Sequence, residues 1–239
     1  MQVFPILRAD YSRLRYLLPL PMLLVSDLAW SAPNSLPQQI EIEFSGLASA
    51  SMHFQRNNDR YLIKADFYLP GNHLHYQSTG YLRNNQLNTL QFTEVRNGKV
   101  TSNASFSLPT QTVIYGKANE TKRLKLLGQS YDFLSLPWQI SLNPQIKLSS
   151  FQITNGKEVY LIKSNDIPVK KLRTTRTINT SQGTSLVNIY EIKSLPNSPV
   201  LFGYSSRYQN LPVYIQLRNK FLKLELKATS IVVDSKKIL

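Results

Sequence analysis

Two histidines on a predicted strand are the first residues whose types and spacing could do chemistry. His73 and His75 are separated by one residue, so on a strand both imidazoles project from the same face. A first-row transition metal would need at least one more ligand, which His53 or Asp66 on a neighbouring strand could provide. The alternative is that both histidines face solvent on an amphipathic strand. We favour that alternative and predict no metal site and no cofactor.

Carboxylates are the other residues with a catalytic chemistry to offer. The chain has no cysteine, and its three histidines all lie between positions 53 and 75, so bases for a serine nucleophile are few. A hydrolase of an envelope polymer could use Asp132 or Glu43 as its acid/base, with two carboxylates lining an open cleft. Glu41 and Glu43 alternate with apolar residues, however, as on the wet face of a strand. We predict no catalytic residues and keep the hydrolase as the alternative function.

Basic side chains carry more information than these candidates. The chain contains 28 Lys+Arg against 14 Asp+Glu, a formal net charge of +14. They concentrate in two stretches, which hold Lys117, Lys122, Arg123 and Lys125, and then Lys163, Lys170, Lys171, Arg173 and Arg176. Such a surface, interleaved with aromatic residues, could bind single-stranded nucleic acid. Residues 1–31 have the pattern of an export signal, and an exported protein meets phosphorylated headgroups and anionic polymers rather than nucleic acid. The favoured interpretation is a solvated basic exterior. If these residues bind a partner, we predict an anionic membrane surface and no nucleic acid.

The elements that must position these residues are strands, because apolar residues recur at every second position. Ile40, Ile42 and Phe44 alternate with polar residues, and the same pattern continues through the next segments. Asn97-Gly98 and Asn155-Gly156 each separate two strand-like runs, and Asn-Gly favours the positive φ angles of a type I′ turn. A further hairpin is predicted from Val213–Leu217 and Phe221–Lys227.

Evidence for helices is confined to one place. Residues 131–141 could hold a short helix or turn, and Pro137 would interrupt any longer helix there. About a dozen strands in one chain imply a sheet that curls, because so wide an open sheet tends to curl or split. We predict an all-β single domain over residues 32–239, with a mostly antiparallel, strongly curved sheet (a roll or half-barrel) and at most a short helix.

The first thirty-one residues have the pattern of a signal peptide. Arg8, Arg13 and Arg15 precede an apolar run over residues 16–25, and small residues at positions 29 and 31 suit cleavage after Ser31. The run is too short to span a bilayer, which takes about 20 residues. Cleavage would leave a net charge of +13 on the mature chain. We predict a periplasmic protein without a transmembrane span; an uncleaved anchor and an amphipathic helix of a cytosolic protein are the alternatives.

Five short segments also occur in a recognisable order. The first is a strand that ends in glycine, the fourth is an aspartate-containing turn and the last is a closing hairpin. In chain order the segments are Ile42–Ala48, Asp59–Tyr61, Ser78–Tyr81, Asp132–Ser135, and Leu211–Val213 followed by Leu222–Leu226. This order, over residues 38–228, resembles the exported bacterial domain-of-unknown-function family numbered three-one-zero-eight. Ser102–Leu108 and Asn155–Lys163 depart from that family's pattern. The resemblance implies a periplasmic, β-rich, envelope-associated protein and carries over no catalytic residues.

These observations together predict an exported, non-catalytic protein of the cell envelope. An apolar interior that side chains do not fill would suit a lipid-like ligand, so an apolar or amphipathic molecule, or an envelope protein, is the predicted partner. A closed outer-membrane barrel is a third hypothesis, but it would need strands of about 9–11 residues with an aromatic girdle at each end.

Overall fold

Apolar side chains at every second position build this protein from strands. The structure, a computed structural model, describes residues 36–144, 150–162, 172–180, 183–191, 200–218 and 223–239. Its elements are almost all strands and confirm the all-β prediction. The predicted signal peptide over residues 1–31 and the basic residues Lys163, Lys170 and Lys171 lie outside the described residues.

The first part of the domain is a meander of eight antiparallel strands, each paired with the next. The turns at Asn84–Asn85 and Asn97–Gly98 have positive φ at both central residues, which agrees with the type I′ turn predicted for Asn97-Gly98. The strands are β1 Gln39–Gly46, β2 Ser49–Asn57, β3 Arg60–Leu69, β4 Asn72–Arg83, β5 Gln86–Arg96, β6 Lys99–Ser107, β7 Thr112–Lys117 and β8 Lys122–Lys125.

A separate small sheet and a helix follow the meander, and we call them together the inner segment. The sheet has the order β11-β10-β9, with β9 parallel to β10. Pro137 is the third helical residue, where the N–H that proline lacks would have no partner inside the helix. The inner segment comprises β9 Ser130–Asp132, α1 Ser135–Leu142, β10 Phe151–Thr154 and β11 Val159–Ile162.

The hairpin predicted at Asn155-Gly156 is confirmed as β10–β11, but the type I′ turn predicted there is wrong, because Gly156 has a positive φ and Asn155 does not. Residues 155–158 form a four-residue loop between β10 and β11. The side chain of Asn155 accepts hydrogen bonds from the backbone N–H groups of Lys157 and Glu158, both at 2.9 Å, which holds the wider loop closed. The carbonyl of Gly156 accepts a further bond from the N–H of Gly116 in β7 at 2.8 Å.

The last part of the chain completes the large sheet. Strand β16 pairs with β15 on one side and with β1 on the other, so all fourteen strands join in one sheet. The predicted hairpin near the end of the chain is confirmed as β15–β16. The elements are β12 Leu172–Thr180, β13 Gly183–Glu191, β14 Val200–Ser205, a 3-10 turn Ser206–Tyr208, β15 Leu211–Arg218, β16 Lys223–Val233 and β17 Lys236–Lys237.

Contacts of α1 with distant strands show that the sheet is strongly curved. The side-chain oxygen of Gln139 accepts a bond from the N–H of Leu87 in β5 at 2.6 Å, and Tyr204 Oη in β14 donates to the carbonyl of Pro137 at 3.1 Å. Six strands lie between β5 and β14 in the sheet. A flat sheet would separate the two by about 34 Å, whereas an eight-residue helix is about 12 Å long. The sheet therefore wraps around α1.

The concave face of the sheet forms the main core with α1. Ile40, Ile42, Phe54 and Ile63 are fully buried on it, and the ring of Trp138 in α1 stacks on Phe54 with centroids 5.1 Å apart. Polar residues between these positions lie on the convex face, as the alternation predicts. In the described part of the chain, no helix has the length and apolar character needed to cross a membrane.

Candidate functional site

Asp132 is a fully buried carboxylate where β9 leads into α1. Its Oδ1 accepts the backbone N–H groups of Leu134 at 2.7 Å and Ser135 at 2.9 Å, so it binds donors at the start of the helix that lack helical partners. Its Oδ2 accepts the hydroxyl protons of Ser78 at 2.6 Å and Thr89 at 3.0 Å, on β4 and β5. Asp132 therefore fixes α1 to the concave face of the sheet.

Electrostatics at Asp132 follow from its burial. Burial raises the pKa of Asp132, and the hydrogen bonds from Ser78 and from the backbone of Ser135 and Leu134 oppose this change without cancelling it. Burial also raises the pKa of Tyr61, with the nearby Asp132 carboxylate acting in the same direction. The Tyr61 hydroxyl donates to Thr89 Oγ1 at 3.1 Å and so extends the same network.

The structure does not bring together the two carboxylates considered for hydrolysis. Asp132 is completely enclosed, and protein donors bind both of its oxygens. Glu43 is an exposed residue of β1, and the residues on either side of it, Ile42 and Phe44, point into the core. The two side chains therefore lie on opposite sides of the sheet, and they do not form the cleft that the hydrolase hypothesis requires.

A second buried carboxylate, Glu94 in β5, joins the large sheet to the loop between β10 and β11. Lys157 Nζ lies 2.8 Å from Glu94 Oε2, and the Ser102 hydroxyl donates to the same oxygen at 3.2 Å. Gly156 is next to this pair, and a Cβ atom there would come within 2.6 Å of Ser102 Oγ. The sequence analysis missed this ion pair because its partners are 63 positions apart and neither belongs to a recognisable motif.

The histidines considered as metal ligands lie on the convex face. Asp66 pairs with His75 in register, and its Oδ1 is 2.9 Å from His75 Nδ1 and 2.8 Å from His73 Nε2. His53 does not join them; it lies opposite Lys64 and 3.9 Å from Glu41 Oε1. Both imidazoles are thus directed at one carboxylate oxygen. Among the described residues, no three such side chains are arranged to hold a metal ion.

Hydrogen bonding governs the charge of Asp66. Its partial burial acts to raise its pKa, but the hydrogen bonds with His75 and His73, together with the charge interactions with both imidazoles, hold the pKa below its ordinary value. A shallow depression of about 360 Å³ lies beside this group, lined in part by His53, Lys64 and His75. A larger depression of about 660 Å³ lies at the turn after β1, next to Leu47 and the lysines of β16.

The basic stretch predicted at residues 117–125 occupies one end of the large sheet. Lys122, Arg123 and Lys125 are all exposed on β8, the terminal strand of the sheet order, and Lys117 is exposed at the end of β7. In the part of the chain that the structure describes, none of the four lies in an ion pair. Arg173 and Arg176 of the second stretch lie on β12.

The fold and these clusters define an all-β protein in which one large curved antiparallel sheet encloses a short helix. No protein-family model matches the sequence, and no curated protein is significantly similar to it. The fold is similar to the crystal structure of a beta-barrel-like protein of the domain of unknown function DUF1849 from Brucella abortus, with a TM-score of 0.44 and 10% sequence identity. That match covers 83% of this chain and 98% of the other.

Proposed function

We propose that this chain is an exported, non-catalytic protein of the cell envelope that binds an anionic amphipathic molecule such as a phospholipid. The observation that carries the proposal is a difference between acidic and basic side chains. Two carboxylates form hydrogen bonds or ion pairs inside the fold, and a group of cations is exposed and, among the described residues, unpaired. Asp132 and Glu94 are bound within the fold, whereas the cations of β8 are exposed without acidic partners in the described residues. Surface cations of this kind attract phosphate groups.

The described interior favours a binding site on the outside of the sheet. Trp138 of α1 and Phe54 and Ile63 of the large sheet are fully buried in one hydrophobic core. The chain's own side chains therefore occupy this part of the concave face. A ligand that entered here would have to displace α1, which Asp132 and Gln139 hold by hydrogen bonds. Binding at an exposed cationic surface needs no such rearrangement.

Export to the periplasm and membership of the family numbered three-one-zero-eight are part of this proposal. The pattern of residues 1–31 supports export. The order of segments given above supports the family, and within it Asp132–Ser135 has a clear structural purpose, since Asp132 binds the N–H groups of Leu134 and Ser135. An envelope protein as partner is the competing version of the same function.

Titration with a soluble short-chain phosphatidylglycerol, below the concentration at which it forms micelles, tests the proposed function. We expect saturable calorimetric binding that weakens as salt is added, because the contact is electrostatic, and weaker binding of the phosphatidylcholine with the same chains. Absence of binding to either lipid would contradict the proposal. Release of soluble fragments from purified envelope polymer would instead favour the hydrolase.

A further inference from the structure

Exposed leucines concentrate at one end of the molecule. Among the described residues, seven large apolar or aromatic side chains are exposed, and four of them lie in or next to β6, β8 and β11. These four are Leu108, Leu124, Leu127 and Leu161, with exposed fractions of 42%, 38%, 64% and 45%. Single exposed leucines are common on protein surfaces, whereas a group of four from three separate segments indicates an interaction site.

Backbone hydrogen bonds bring two of these segments together. The turn that contains Leu108 closes through a bond from the N–H of Gln111 to the carbonyl of Leu108 at 3.3 Å. The carbonyl of Gln111 in turn accepts the N–H of Leu126 at 2.7 Å. The turn after β6 therefore lies against the residues that follow β8, and Leu108 and Leu127 belong to these two adjoining segments.

The third segment joins through Gln152 in β10. Its side-chain oxygen accepts the N–H of Leu127 at 2.7 Å, so this side chain reaches the end of β8. Gln152 is directly opposite Leu161 in the β10–β11 pairing, and opposed residues of an antiparallel pair project from the same face. The side chain of Leu161 therefore projects from the same face of the small sheet as the Gln152 side chain, which binds the N–H of Leu127.

Cations border these leucines. Lys122, Arg123 and Lys125 are exposed on β8, and β8 has no strand on its outer edge in the described sheet. We call the four leucines and these three cations the leucine–lysine edge. Exposed apolar side chains next to cations match a bilayer interface, where the first meet acyl chains and the second meet phosphate groups.

We propose that the leucine–lysine edge docks this protein on the surface of an anionic bilayer. The inference rests on the proposed function and adds where and to what the protein binds. An acidic peptide that extended the sheet at β8 would also neutralise the cations. It would pair with β8 alone, however, and would leave Leu108 and Leu161 exposed on their own segments. A bilayer surface covers all three segments at once.

Vesicle flotation with matched variants tests the docking surface. The full chain is produced with export, and the N-terminus of the recovered protein is determined by mass, so that all variants share the same N-terminal residues. Vesicles contain phosphatidylcholine alone or with about 30% phosphatidylglycerol. We expect binding to the anionic vesicles, a loss of about tenfold or more for the L127S/L161S variant, and about fivefold per cation for K122Q/R123Q/K125Q.

The control variants remove the same kinds of side chain, leucine and cations, from positions outside the leucine–lysine edge. Leu47→Ser removes a leucine that is 77% exposed in the turn after β1, and K64Q/K99Q/K227Q removes three cations outside the edge. Both controls should bind like the wild type. If the edge variants bind like the wild type, or the controls lose as much, the docking surface is wrong while the proposed function stands. Failure of the wild type to float, with binding of an acidic peptide at β8, would overturn the inference in favour of strand addition.

Discussion

At the scale of residues, Asp132 shows how a carboxylate that suggests catalysis can serve the fold. Four donors from three elements converge on its two oxygens, and no side of the group is open to solvent. The residue type could be found in the sequence, but its role could not. That role depends on Ser78 and Thr89, which lie more than forty positions away.

Substitutions at Asp132 separate its charge from its hydrogen bonds. Asp132→Ala leaves two backbone N–H groups and two hydroxyls without their acceptor, so we expect a loss of about 2–5 kcal/mol in the free energy of unfolding. Asp132→Asn keeps an oxygen for the N–H groups, and its amide can donate to the hydroxyls, which also accept. We expect it to cost much less. Urea denaturation at pH 7 measures both.

The raised pKa of Asp132 also predicts how the stability difference between the wild type and Asp132→Asn changes with pH. Burial raises the pKa of Asp132 in the folded chain above its unfolded value of about 4, so the folded state binds the proton more tightly. The resulting stabilisation is present below the unfolded pKa and is lost as pH rises through the folded pKa. As pH rises from the unfolded pKa to the folded pKa of Asp132, the free energy of unfolding of the wild type should therefore fall relative to that of D132N. A constant difference between the two would contradict the raised pKa.

At the scale of elements, close packing at Gly156 ties the inner segment to the large sheet. The loop that contains it contacts Ser102 and lies near Phe92, while Lys157 pairs with Glu94. Sequence reasoning identified the turn at Asn97-Gly98 correctly because the bonds of Asn97 with the backbone of His73 are compatible with the two-residue turn that Asn-Gly favours. At Asn155-Gly156 it identified the hairpin but not the turn, because the side chain of Asn155 and the bond from Gly116 select a wider loop.

Two glycine substitutions isolate the contribution of that packing. Gly156 and Gly98 both have positive φ, at 83° and 78°, so alanine brings a similar backbone strain at each. At Gly98 an added Cβ meets nothing within 4 Å, whereas at Gly156 it meets Ser102 Oγ at 2.6 Å. We expect G98A to cost about 1 kcal/mol and G156A about 1–3 kcal/mol more. Equal losses in thermal unfolding would show that the loop is not packed against β6.

At the scale of the whole molecule, alternation predicted the strands and their buried faces but not the path of the sheet. Ile40, Ile42 and Phe54 are buried as the two-residue period requires. The pairing of β1 with β16, which unites the two parts of the sheet, joins residues almost 200 positions apart and has no local signal. The same holds for the leucine–lysine edge, because in the described part of the chain its segments are joined by hydrogen bonds of Gln111 and Gln152 with distant residues.

The central claim is that the chain's own helix fills the described interior and that lipid binds outside. Trp138 reports on it, because its ring is fully buried in α1, and in a Trp30→Phe chain it is the single tryptophan. Anionic vesicles with brominated acyl chains quench tryptophans that contact them. We predict that the protein binds these vesicles while Trp138 emission keeps its intensity. Quenching of Trp138 on binding would contradict the account, because lipid would then reach the interior.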